Sequence, residues 1–149
     1  MNPINTMITQ CIQESIAVKQ ALLEDQALLV QLTQLAEDCI GPLRQGGKII
    51  FAGNGGSFAD AQHLSAEFTS RFLFDRAPLT SLALGTNNFA ISAIGNDYGS
   101  EKVFARELIG IAQPNDVFIR ISTSGNSPNI LAAVRVAKDL SLRQMAWTG

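Results

Sequence analysis

The sequence predicts an α/β domain, a parallel sheet with helices on both faces, preceded by two further helices. Two observations carry this. After position 48 the chain holds short, near-continuous apolar runs rather than alternating ones, and helix-like sequence separates each run from the next. Strands of that kind, alternating with helices, are buried on both faces, which is the pattern of a parallel sheet.

The elements follow in order. From Ile4 to Leu23, apolar residues fall at Ile4, Met7, Ile8, Cys11, Ile12, Ile16 and Leu22 or Leu23, the three-and-four spacing of one helix face. A second helix is expected from about Gln26 to Leu43, with Leu28, Leu29, Leu32, Leu35, Cys39, Ile40 and Leu43 inward and Gly46-Gly47 as its stop. KIIFAG (Lys48–Gly53) reads as the first strand, followed by the loop NGGS and a helix from about Phe58 to Phe72. LTSLALG (Leu79–Gly85), DVFIRIS (Asp116–Ser122) and LRQMAWTG (Leu142–Gly149) read as three more strands. GNDYGSE (Gly95–Glu101) interrupts apolar helical sequence with Asp97 at its centre, and fits either a turn between helices or a substrate contact.

A chain of 149 residues suits a single domain, with N-terminal helices at about 3–45. A parallel strand should deliver the chain into another loop and helix, so a sequence stopping at Gly149 implies that a C-terminal part of the natural domain is missing. Arg120 interrupts an otherwise apolar strand and points to the sheet's rim or to an interface.

Composition narrows the function. The formal charge is −2 and there is no block of like charges, which argues against nucleic acid as a partner. Cys11 and Cys39 lack metal or redox spacing and read as reduced core residues. The N-terminus carries no signal-like start and no run reaches the roughly 18 apolar residues of a membrane span, so a soluble cytoplasmic protein is expected.

Two loops and one helix carry the chemistry. ISTSGNSPNI places Ser122, Thr123, Ser124, Gly125, Asn126 and Ser127 between a strand end and a helix that Ser127 caps and Pro128 opens. Unpaired N–H groups and the helix dipole attract an anion there, and hydroxyls can hold phosphate oxygens without Lys or Arg. Ser and Thr also serve simply as caps and turns; four hydroxyls around a glycine favour the ligand. GNGGSF (Gly53–Phe58) holds the equivalent place after the first strand. It lacks the third glycine of a dinucleotide fingerprint and the lysine of a P-loop, so glycines admitting a ligand to the backbone, beside Asn54 and Ser57, are the better account. On the next helix His63, Glu67 and Arg71 are spaced four and four, on one face. A histidine and glutamate so placed can chelate a divalent ion, or the glutamate can act as a base beside a sugar hydroxyl. Without further context these residues specify a phosphorylated small molecule bound in an α/β domain.

GNGGSFADAQHLSAEFTSRF, AIGNDYG and ISTSGNS together resemble the sugar isomerase (SIS) domain family, and within it the bacterial phosphoheptose isomerases, along the whole chain. The resemblance implies a flavodoxin-like sandwich assembled as a homotetramer with shared active sites. It implies that Ser122, Thr123, Ser124 and Ser127 hold the substrate phosphate and that Asn54, Gly55, Gly56, Ser57, Arg71 and Asp97 contact the substrate. Glu67 becomes the base of an enediol proton transfer that converts sedoheptulose 7-phosphate to D-glycero-D-manno-heptose 7-phosphate, early in lipopolysaccharide heptose synthesis. His63 and Glu67 match two ligands of a zinc ion, one per subunit, found in some members. The remaining Gln and His ligands, and a second acid–base histidine, would come from sequence outside residues 1–149. Arg120 and Trp147 stand where the family leads one to expect smaller residues. The alternative is a non-catalytic SIS tetramer that binds the replication initiator, but such a member has a non-acidic residue where this chain has Glu67. A sugar-phosphate-sensing regulator would carry a DNA-binding domain, which is not seen here.

Overall fold

The computed structural model describes residues 2–148. Helices α1 (Pro3–Glu24) and α2 (Gln26–Arg44) come first. They are followed by β1 (Ile49–Gly53), α3 (Gly56–Thr69), β2 (Ser81–Ala83) and α4 (Asn88–Tyr98). A 3-10 turn (Ser100–Lys102), α5 (Val103–Ile111), β3 (Val117–Ile121), α6 (Pro128–Asp139) and β4 (Arg143–Trp147) complete the order. Gly149, the last residue of the expected final strand, lies outside the described residues. The chain divides into two compact units, residues 1–37 and 38–149.

In the first unit, Asn2 caps α1 through its side-chain oxygen on the Ile4 N–H, and Asp25 does the same for the Leu28 N–H. No residue of α1 is buried, and Cys11 is exposed rather than in a core. Periodicity identifies the apolar stripe of a helix but not what covers it. The same holds along α2, whose buried residues are Cys39 and Pro42, both in the second unit, while Leu28, Leu32 and Ile40 remain exposed. Burial and then the neighbouring Asp38 push the Cys39 thiol above its ordinary range.

The second unit is a four-stranded, all-parallel sheet in the order β2-β1-β3-β4. Successive side chains of a strand point to opposite faces. Ile50, Ala52 and Phe118 pack with Leu108 of α5 and Ile130, Ala133 and Ala137 of α6 on one side. On the other, Phe51 meets Phe68 of α3, ring centroids 6.1 Å apart. Every residue of β1 is buried, as an interior parallel strand requires. The expected second strand shrinks to three residues because Gly85, at φ +85°, turns the chain away. Arg120 is half-buried near the top of β3, with Ala52 and Ala146 as its neighbours in register. Two methyl side chains leave room for it near the end of the strand.

At the lower end of the sheet, Asp116 is 2 % exposed and takes three donors: Lys48 N–H at 3.0 Å, Lys48 Nζ at 2.6 Å and Gln113 N–H at 2.7 Å. It ties the residue before β3 to the residue before β1. Removing its carboxylate strands two backbone donors and an ammonium, so Asp116→Ala should lower stability by about 3–5 kcal/mol in urea unfolding.

Glu107 on α5 accepts the Gly85 N–H. Burial pushes its carboxyl above the ordinary value of 4.5, and the Gly85 bond opposes that. The native state therefore binds this proton more tightly than the unfolded state does. The resulting stability is fully present below 4.5 and is lost as pH rises through the raised native value. Glu107→Gln keeps an acceptor for Gly85 without the charge. Relative to wild type, its unfolding free energy should improve as pH is raised from 4 to 7, a trend that unfolding curves at several pH values will check.

Candidate functional site

The strand order reverses between β1 and β3, since β1 leads through α3 to one edge and β3 through α6 to the other. In open α/β sheets ligands bind outside the carboxyl ends of the strands at such a switch point. Gly53, the last residue of β1, pairs with Ile121, the last of β3. The two polar loops thus leave the sheet side by side at the same level.

Glycine is required at specific places in the first loop. A Cβ on Gly53 would lie 2.4 Å from the Ser57 carbonyl oxygen, and Gly55 sits at φ +55° in the left-handed region. The helix begins at Gly56, two residues earlier than expected, so Ser57 belongs to its first turn. In the second loop, Gly125 at φ +66° returns its N–H to the Ser122 carbonyl at 3.2 Å, and the Asn126 N–H donates to Ser124 Oγ at 3.3 Å. Ser127 occupies the N-cap position and Pro128 opens α6, but the Ser127 hydroxyl makes no capping bond. That hydroxyl stays available to a ligand. Ser122 is buried, while Thr123 and Ser124 face solvent.

A cavity of about 360 Å³ at the strand ends is lined by Ser57, Asp60, His63, Leu64, Ile121, Thr123, Trp147 and Thr148. It brings both loops and the α3 histidine together. His63 also lines an adjoining cavity of about 340 Å³ with Glu67, Phe68, Phe72 and Arg76. His63 Nε2 and Glu67 Oε1 are 3.7 Å apart on successive turns of α3, with the glutamate side chain 31 % exposed. Asn54, Gly55, Ser100 and Asn129 line a third cavity with Gly53, Phe58, Gly85 and Phe104.

Residues 11–149 match the SIS domain family. The chain belongs to that family. Its relatives include the phosphoheptose isomerase of Burkholderia pseudomallei (strain 1710b), 49 % identical over 144 residues, which are 97 % of this chain and 73 % of that one. Among solved structures, the phosphoheptose isomerase of Neisseria gonorrhoeae is 38 % identical with a TM-score of 0.88, over 98 % of this chain and 75 % of that one. The enzyme of the same name from Francisella tularensis is 34 % identical with a TM-score of 0.90, over 100 % and 76 %.

Of the residues named from the sequence, Gly56, Arg71, Asp97, Ser122, Ser124 and Ser127 line none of these three cavities. α3 ends at Thr69, so Arg71 lies past its cap, exposed, and does not share the face of His63 and Glu67. The reason is Arg76, whose guanidinium donates to the last-turn carbonyls of Glu67 at 2.7 Å and Phe68 at 2.8 Å and so terminates the helix from outside. Asp97 sits in the last turn of α4, exposed, where it accepts the Asn96 side-chain amide at 2.8 Å and lines none of these three cavities. The GNDYGSE island is therefore the end of a helix and its connection to the next, with the break at Gly99. Arg76 and Asn129 were not singled out from the sequence, because neither lies in a glycine-rich loop or on the histidine stripe.

Gly53 and Gly56 separate structural from ligand demands. Gly53→Ala forces the turn open and should cost about 1–3 kcal/mol. Gly56 has nothing within 4 Å of a built Cβ and stands at the first helical position, so Gly56→Ala should raise stability by about 0.5–1 kcal/mol. On the expectation that a ligand approaches the backbone of this turn, the same methyl would intrude on it. Denaturant titration should show opposite signs for the two variants, and calorimetry should show weaker sugar-phosphate binding in both.

Proposed function

We propose that this chain is a phosphoheptose isomerase that converts sedoheptulose 7-phosphate to D-glycero-D-manno-heptose 7-phosphate, supplying heptose for lipopolysaccharide. The observation that carries the reading is the carboxylate of Glu67 on α3, a helix whose first turn shares a cavity with Thr123 of the uncharged loop that opens α6. Ser122, Thr123, Ser124 and Ser127, with the N-terminus of α6, hold the phosphate; Asn54, Gly55, Gly56 and Ser57 meet the sugar. With the phosphate fixed, Glu67 removes the C1 proton of the open-chain ketose and returns it at C2 of the enediol. A second acid–base group moves the hydroxyl proton between O1 and O2.

His63 and Glu67 fit two corners of a zinc site, since their donors are 3.7 Å apart on one helix face. Zinc takes three or four protein ligands, and no cluster of three His, Cys, Asp or Glu side chains occurs among the described residues, so the site needs donors beyond this pair. When bound, the ion would polarise the substrate carbonyl.

A homotetramer fits the exposed apolar surface. Ile4, Met7, Ile8, Ile12 and Ile16 line α1, and Phe72, Leu73 and Phe74 stand exposed beside the cavity of Glu67. A cytoplasmic setting fits a phosphorylated substrate, and no helix of the described residues is long and apolar enough to cross a membrane. The replication-initiator alternative has no support among the relatives above, which carry the name of the isomerase.

Glu67→Gln keeps size and hydrogen bonding but removes the proton acceptor. Turnover of sedoheptulose 7-phosphate by the purified protein should fall about 100- to 10,000-fold. Phosphate affinity should be retained, because the other loop holds it. Bound metal, measured on the same samples, separates loss of a base from loss of a ligand. Near-wild-type turnover would move the base to another residue.

A further inference from the structure

Asn54 and Asn129, 75 positions apart, join the two ligand loops by a reciprocal pair of amide bonds. Asn54 Nδ2 donates to Asn129 Oδ1 at 2.9 Å, and Asn129 Nδ2 donates to Asn54 Oδ1 at 2.9 Å. A ring of two amides could form either way round, with oxygen and nitrogen exchanged on both sides. The Ile130 N–H removes that ambiguity. It donates to Asn129 Oδ1 at 2.9 Å, and a backbone N–H can only meet an acceptor. The first turn of α6 therefore fixes the Asn129 amide, and Asn129 fixes the Asn54 amide. Asn54 is exposed, lines the cavity with Gly53, Gly55, Ser100 and Asn129, and keeps one N–H and one lone pair outside the ring.

We propose that Asn129 is a positioning residue that presents the free donor and acceptor of Asn54 to a sugar hydroxyl, so that the phosphate-loop helix orients the sugar-contacting loop. This rests on the reading of Gly53–Phe58 as the sugar-contacting loop. The recognised chemistry is a hydroxyl of the sugar, not the phosphate. Asn54 would otherwise turn freely about its terminal torsion and offer either end. A hydroxyl can donate and accept at once, so it gains most from an amide whose two ends are set.

The test is a double-mutant cycle read by calorimetry with two probes, sedoheptulose 7-phosphate and inorganic phosphate. Asn129→Ala removes the partner. Asn129→Leu keeps the size and adds no charge at the helix end that holds the phosphate, yet offers Asn54 neither an acceptor nor a donor. Both variants should bind the sugar phosphate about 3- to 30-fold more weakly, the loss of one or two neutral hydrogen bonds to the ligand. Inorganic phosphate should change by less than about twofold. Combining either change with Asn54→Ala should weaken binding no further than Asn54→Ala alone, since Asn129 acts only through Asn54.

Additive losses, an equal loss of inorganic phosphate, or wild-type sugar-phosphate affinity in Asn129→Leu would each overturn the proposal. So would a wild-type protein that binds both probes equally. Should Asn129→Ala unfold, the Asn129→Leu arm of the cycle decides alone. Turnover by the wild-type protein judges the isomerase reading separately: a protein that binds the sugar phosphate and shows the cycle but does not turn it over keeps this proposal and loses that one.

Discussion

The clamp on Asp116 sets the register on which the site depends. Its carboxylate takes the main-chain and side-chain nitrogens of Lys48, and the Val117 N–H returns to the Lys48 carbonyl at 3.0 Å. The chain thus enters β1 and β3 level with each other at the bottom of the sheet. Five paired residues later they leave level at the top, Gly53 opposite Ile121. A slip of one residue would turn every side chain of β3 to the other face and offset the two loops by about 3.3 Å. The reciprocal amide bonds of Asn54 and Asn129 need that alignment, as does a cavity that both loops line.

On the proposed reading the site would hold an anion without a cation. No Lys or Arg lines the cavity of Ser57, His63 and Thr123, which contains Asp60 instead. Helix ends and hydroxyls supply partial positive charge without a full one. The adjoining cavity of Glu67 does contain a cation, Arg76. Its guanidinium is spent on the backbone carbonyls of Glu67, Phe68 and Ala77 and forms no ion pair with the Glu67 carboxylate. It fixes where the side chain starts without neutralising where it ends.

Much of this was legible in the sequence. Four strands, six helices and both loops follow from apolar runs, glycine stops and Ser-Pro punctuation, because these are local signals of burial and backbone conformation. The boundaries of α3 did not follow. Its start moved to Gly56 because the loop is tighter than its glycines alone reveal, and its end moved to Thr69 because Arg76 caps it from beyond the helix. Nor did the exposure of Cys11 and of the α1 stripe follow, since periodicity records an apolar face and not its cover. The pairing of Asn54 with Asn129 spans 75 positions and depends on register, which no local pattern carries.

Helix α3 then acts as the spacer of the proposed site. Its first turn, with Ser57, shares a cavity with Thr123 of the anion loop, its second bears His63, and its third bears Glu67. At about 1.5 Å of rise per residue, the ten steps from Ser57 to Glu67 amount to roughly 15 Å along the axis. A hydrogen-bonded helix holds that separation with little give, and Phe68 packed on Phe51 and the Arg76 cap at its far end hold the helix to the sheet. An anion fixed at one end and a base fixed at the other then favour a substrate whose reacting carbons lie several bonds from its phosphate. A long open-chain sugar phosphate meets that condition, and a short one does not. On the proposed reading, the rigid helix that starts beside the anion loop measures the chain that loop carries.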